Sequence, residues 1–138
     1  MIKILLADDH AIIRNVLRQI LEKPDDMQVV AEVSNGLEAL KEALIHCPNV
    51  VVMDVSMPIM DGVEATKQIC SVCAETHVLM VSTYNTPQPI RRSLEAGAFG
   101  YVLKDTVNHE LVSAVRSVHQ GNRYFSGQVA ELAKYYIE

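Results

Sequence analysis

Short, nearly continuous apolar runs alternate five times with stretches of helical periodicity, and few folds accommodate that pattern. The runs are Ile2 to Ala7, Val29 to Val33, Val50 to Met53, Val78 to Val81 and Phe99 to Leu103. They are mostly β-branched and do not alternate with polar residues, as expected of strands covered on both faces. Between the first two, Ile12, Ile13, Val16, Leu17, Ile20 and Leu21 predict a helix with a wide apolar stripe. Leu37, Leu40 and Leu44 predict a second helix, and Val63, Ile69 and Val72 a third. Ile90 and Leu94 mark a fourth, with Pro87 and Pro89 before it or in its first turn. Leu111, Val112, Val115 and Val118 mark a fifth, closed by Gly121 at a C-cap. Regular β-α alternation with right-handed crossovers gives an α/β fold: a doubly wound, five-stranded parallel sheet with helices on both faces.

The 138 residues make one ordinary domain, and 49% apolar against 21% charged residues is enough for a buried core. A net charge of −5 disfavours this chain as a nucleic-acid binder, because phosphate neutralisation needs a basic face. The opening apolar run is stopped at once by two aspartates, and no later run approaches membrane length. A cytoplasmic protein with no membrane partner is expected. Cys70 and Cys73 have C-x-x-C spacing, but no second ligand pair completes a zinc site and the pair closes a helix rather than opening one. With Cys47 they are expected to be free thiols in a reducing compartment.

In doubly wound sheets, function gathers outside the carboxyl ends of the strands. Asp8 and Asp9 follow the first run, and Asp54 with Val55-Ser56-Met57-Pro58 follows the third. Ser82 and Thr83 end the fourth, and Lys104 and Asp105 the fifth. Singly, each has an ordinary explanation: helix-end charges, a turn residue, a capping hydroxyl, a solvated ammonium. Jointly, four strands placing complementary chemistry on one edge is hard to ascribe to chance. Three carboxylates against one ammonium leave excess negative charge, which a hard divalent cation such as Mg²⁺ would neutralise. A phosphoryl group on Asp54 would then find the metal, Lys104 and the Ser82 hydroxyl for its oxygens.

Asp8-Asp9, the Met53–Pro58 segment with Asp61-Gly62 after it, Ser82, and Gly100-Tyr101-Val102-Leu103-Lys104 resemble the receiver domain of bacterial response regulators, over about residues 2–121. The stretch Gly97 to Asp105 is most similar to the LuxR/NarL-type transcription regulators. The resemblance implies a flavodoxin-like (βα)5 receiver in which Asp54 accepts a phosphoryl group from a sensor histidine kinase. It implies Mg²⁺ held by Asp8, Asp9, Asp54 and the backbone carbonyl of Ser56, with Ser82 and Lys104 contacting the phosphoryl oxygens. Ser82 and Tyr101 would form the switch, Tyr101 turning its ring from an exposed to a buried rotamer. Homodimerisation on phosphorylation, through the first or last receiver helices, is implied too. The chain departs from the pattern twice: Asp105 stands where many receivers have proline, and Thr83 where the residue is usually very small.

Residues 1–121 are thus read as the receiver and 122–138 as a C-terminal helix or linker. There Ser126 would cap a short helix carrying Val129, Leu132, Ala133 and Tyr136, a stripe with no evident partner in the domain. In the resembling family this segment leads to a helix-turn-helix output domain, absent from this chain, through which alone DNA would be contacted. The uncapped end points to an excised receiver, the alternative being a stand-alone domain acting through protein–protein contacts. Such a chain accepts a phosphoryl group without being a turnover enzyme on external substrates. Two other classes fit less well: an aspartyl-nucleophile phosphatase, whose second carboxylate is absent where His10 stands, and an interaction module with a vestigial pocket, since Asp54, the acidic pair and Lys104 are all present. No glycine-rich loop supports nucleotide binding.

Overall fold

The computed structural model describes residues 1–137. The elements run β1 (Ile2–Ala7), α1 (Ala11–Glu22), β2 (Met27–Val33), α2 (Gly36–His46), β3 (Val50–Asp54), α3 (Gly62–Val72), β4 (His77–Ser82), α4 (Pro87–Ala96), β5 (Gly100–Leu103), α5 (Val107–His119), β6 (Tyr124–Phe125) and α6 (Gly127–Ala133), with a 3-10 turn at Lys104–Thr106 between β5 and α5. All strands are parallel, in the order β2-β1-β3-β4-β5-β6. The five expected strands all form, and the doubly wound α/β architecture holds. The strand count is six rather than five, because Tyr124 and Phe125 pair with Gly100 and Tyr101 at the sheet edge. Two residues are too short to announce themselves by periodicity, and Gly100 admits them: a Cβ there would lie 2.5 Å from the Tyr124 carbonyl oxygen.

Two core layers explain why the strand runs are continuously apolar. Leu5, Val51, Met53, Val78, Met80 and Tyr101 face α2, α3 and α4 through Ala39, Ala43, Ile69 and Ile90. The intervening Ile4, Leu6, Val50, Val52, Leu79, Val81 and Val102 face α1 and α5 through Leu17, Leu21, Leu111 and Val115. Alternate side chains serve opposite faces, and both faces are dry. Pro87 and Pro89 lie in the first turn of α4, where a missing N–H costs little. Gly121, just past α5, takes φ +87°, the left-handed conformation of a helix terminator.

The structure refines one sequence expectation and corrects two. The α1 stripe is only partly interior: Leu17 and Leu21 are buried, whereas Ile12 and Val16 are 81% and 41% exposed. The tail stripe, in turn, has a partner within the domain. Val129 and Ala133 are fully buried in the layer that holds Ile90, Tyr101 and Leu103, with Leu132 and Tyr136 packed against it. Ser126 does precede α6, but its hydroxyl does not cap that helix. It donates to Glu110 (2.7 Å) and accepts from the Leu103 N–H (3.0 Å), tying the tail to α5 and β5. The three cysteines are free; burial pushes the thiols of Cys70 and Cys73 up, away from the thiolate. No helix among the described residues is long and apolar enough to cross a membrane.

Candidate functional site

Strand order 2-1-3 means the chain reverses its winding between β1 and β3, and the crevice lies beyond their carboxyl ends. Asp8 follows β1 and Asp54 closes β3; the chain positions both tightly. The Asp8 N–H donates to the Val33 carbonyl (3.1 Å), and one Asp8 carboxylate oxygen accepts from the His10 N–H (2.9 Å). Behind Asp54, the Gly62 N–H donates to Val55 O at 2.9 Å, and a Cβ on Gly62 would lie 1.8 Å from the Asp54 carbonyl oxygen. Only glycine permits this approach, which fixes the end of β3 against the start of α3. Asp61 caps α3 by accepting from the Glu64 N–H (2.8 Å), which sets the loop after Asp54.

Lys104 reaches in from the end of β5, its Nζ 3.0 Å from Asp8 Oδ2 and 3.2 Å from Asp54 Oδ2. The first strand's carboxylate, the third strand's carboxylate and the fifth strand's ammonium therefore meet as expected. Burial raises the Asp54 carboxyl above the usual carboxylate range; Lys104 opposes this and the Asp8 charge adds to it. For Lys104, burial favours the neutral amine, but the bonds and charges of Asp8 and Asp54 outweigh it and hold the ammonium above its ordinary value. The second Asp54 oxygen accepts a long hydrogen bond from the Ser56 N–H (3.4 Å). Asp54, Ser56, Thr83, Tyr84 and Lys104 line, with Asp9 and His10, a cavity of about 340 Å³.

Asp9 stands apart from the ammonium and faces His10, whose Nδ1 lies 3.2 Å from Asp9 Oδ1. One oxygen from each of Asp8, Asp9 and Asp54 and one nitrogen of His10 lie within 4.8 Å of one another. Asp9 Oδ1 is buried yet accepts no hydrogen bond, and Asp8 Oδ2 makes only its ion pair with Lys104. Hard oxygen donors with unused lone pairs, in a cluster of excess negative charge, fit a divalent cation.

Ser82 and Tyr101 are linked through Tyr84. Ser82 is buried at the end of β4, and its Oγ accepts from the Tyr84 N–H (2.9 Å). Tyr101 is already fully buried, and its hydroxyl donates to the Tyr84 carbonyl (2.7 Å); burial pushes that phenol up to about 12. The peptide groups of Tyr84 are thus held from both sides. The Tyr84 carbonyl satisfies the Tyr101 hydroxyl inside the fold. All peptide bonds among the described residues are trans, including that before Asp105. Sequence reasoning passed over His10 as part of the pocket, although its place directly after the acidic pair was a usable signal.

A family model described as the response regulator receiver domain matches residues 4–116. Response regulator UvrY of Escherichia coli K12 is 40% identical over 132 residues, covering 95% of this chain and 60% of UvrY. The oxygen regulatory protein NreC of Staphylococcus epidermidis is 39% identical over 123 residues, covering 88% of this chain and 56% of NreC. The chain spans about 60% of the length of the curated relatives it matches. Among solved structures, a LuxR-family two-component response regulator from Aurantimonas sp. SI85-9A1 superimposes with a TM-score of 0.92 at 32% identity, over 98% of this chain and 96% of that one.

Proposed function

This chain belongs to the response regulator receiver domain family, homologous to LuxR/NarL-type regulators, and on that premise we propose that Asp54 is its phosphoacceptor. The observation that carries this is Lys104 Nζ seated between Asp8 and Asp54 at 3.0 and 3.2 Å. An ammonium in that place neutralises the nucleophile's surroundings and can follow a phosphoryl oxygen once one is attached. An Asp54 carboxylate oxygen attacks phosphorus, the P–N bond of a kinase phosphohistidine breaks, and the leaving imidazole keeps the electron pair. Asp8, Asp9, Asp54 and the Ser56 carbonyl would hold Mg²⁺, which when bound supplies charge neutralisation at the phosphoryl oxygens. The Ser82 hydroxyl, whose Oγ accepts from the Tyr84 N–H, has its own O–H to donate to a second phosphoryl oxygen.

The partner is a sensor histidine kinase, the reaction is cytoplasmic, and the output is a transcription regulator's DNA binding. Residues 1–121 are the receiver; residues 122–138, whose α6 packs on it through Val129 and Ala133, lead toward the output domain. Homodimerisation on phosphorylation rests on the uncovered apolar residues Ile12 and Val16 of α1, since the tail stripe is occupied. Incubation with a radiolabelled small acyl phosphate tests the reading: Mg²⁺-dependent label is expected on the parent and none on Asp54→Asn. Sustained turnover of external phosphoesters would instead identify a phosphatase.

A further inference from the structure

We infer that His10 is a nitrogen ligand of the metal pocket, so that the site favours a first-row transition dication such as Co²⁺ more than its carboxylates alone would. The inference rests on the reading of Asp8, Asp9 and Asp54 as metal ligands. His10 sits at the N-cap of α1 with extended backbone, but its side chain makes no capping hydrogen bond. The imidazole instead turns back over the acidic pair, Nδ1 lying 3.2 Å from Asp9 Oδ1 and 3.5 Å from Asp8 Oδ1. Its ring nitrogen is one of four potential donors within 4.8 Å of one another, close to the spread of ligands around a single ion. The oxygen it approaches most closely, Asp9 Oδ1, is buried and accepts no hydrogen bond, leaving its lone pairs for a cation.

Ligand chemistry turns this geometry into selectivity. Mg²⁺ takes oxygen donors and retains several waters, so an imidazole adds little to its binding. Co²⁺, Ni²⁺ and Zn²⁺ gain from an imidazole nitrogen, so adding one to the four oxygen donors shifts the preference toward them. The rival role for His10 is a cationic placeholder, an imidazolium that occupies the metal's position beside the carboxylates. The two roles differ in sign: losing a ligand weakens binding of the softer ion, whereas losing a placeholder strengthens binding of every cation.

Calorimetric titration of the unphosphorylated chain with Co²⁺ and, separately, Mg²⁺ tests the assignment. His10→Ala should lower Co²⁺ affinity roughly ten-fold or more while Mg²⁺ affinity stays within about two-fold. In the Co²⁺-loaded parent, proton NMR in water should show a strongly shifted exchangeable imidazole resonance, absent from both His10→Ala and His10→Gln. Equal losses for both ions, a gain for both, or a shifted resonance that survives in the variants would each overturn the assignment. An Asp9→Asn variant separates the premise: if its affinities for both ions match the parent's, the carboxylate metal site itself is wrong and the His10 inference falls with it.

Discussion

At the scale of single residues, this molecule tolerates unfavourable arrangements beside the pocket. Asp54 is buried near Asp8, and its raised carboxyl means that ionisation is costlier in the folded chain than in the unfolded one. A carboxylate raised in this way subtracts stability above its unfolded value near 3.8. Asp54→Asn keeps the shape and removes the charge, so metal-free protein at neutral pH should gain stability. A rise in the thermal midpoint checks this; a fall would mean that the Lys104 pairing outweighs burial. Ile59 is a second case: a β-branched residue at φ 71°, 78% exposed, within a tight turn closed by the Met60 N–H on the Pro58 carbonyl (2.8 Å). Little burial is lost on substitution, so Ile59→Gly should stabilise by about 1 kcal/mol in urea unfolding, against the usual direction for a glycine.

Between elements, two polar ties decide what can move. The loop after β4 is held by Tyr84, whose N–H bonds Ser82 and whose carbonyl bonds Tyr101. A phosphoryl group on Asp54 draws the Ser82 O–H toward its oxygens, and because the Ser82 Oγ also accepts from the Tyr84 N–H, Tyr84 is carried with it and passes the signal outward. Ser82→Ala should leave Asp54 phosphorylatable but abolish phosphorylation-dependent chemical-shift changes at Tyr84 and Tyr101; unchanged responses would refute the coupling. The second tie is Glu110 on α5, which accepts from Thr106, Ser126 (2.7 Å) and Tyr124 (3.1 Å). Burial would raise this carboxyl, but those three bonds outweigh it and hold it below its usual value. A lowered carboxyl contributes stability that is complete above the unfolded value near 4.5 and is lost as pH falls through the lower folded value. Hydrogen exchange at residues 124–133, corrected for the intrinsic rate at each pH, should therefore lose protection on acidification below that range. Glu110→Ala should show the faster exchange already at neutral pH, with about 1–3 kcal/mol less protection.

For the whole molecule, the packing of α6 decides which surfaces are free. The tail covers the region around α4 and β5, and the apolar residues left uncovered on α1 are Ile12 and Val16. Association driven by phosphorylation should therefore use the α1 side. Sedimentation of the parent with an acyl-phosphate mimic is expected to show a dimer, and Ile12→Asp a monomer that still phosphorylates. A parent that stays monomeric at high concentration would point to release of an output domain instead.

The order of elements was legible in the sequence because a strand buried on both faces must be apolar at successive positions, as Val50 to Met53 are. The placement of Asp8, Asp54 and Lys104 was legible too, since parallel winding brings all carboxyl ends to one edge. Periodicity reports how much apolar surface an element carries, not what covers it. Hence the stripe on α1 did not say which of its residues meet the core, and the tail looked unpartnered, until the third dimension assigned Ile12 to solvent and Val129 to the core. Local chemistry misled at Ser126, a residue suited to capping whose hydroxyl is drawn instead to a carboxylate sixteen positions away. The inward Tyr101 and the turn of His10 over Asp9 were likewise decided only in the folded chain. Each depends on a partner from a backbone fold or a turn that spacing alone does not encode.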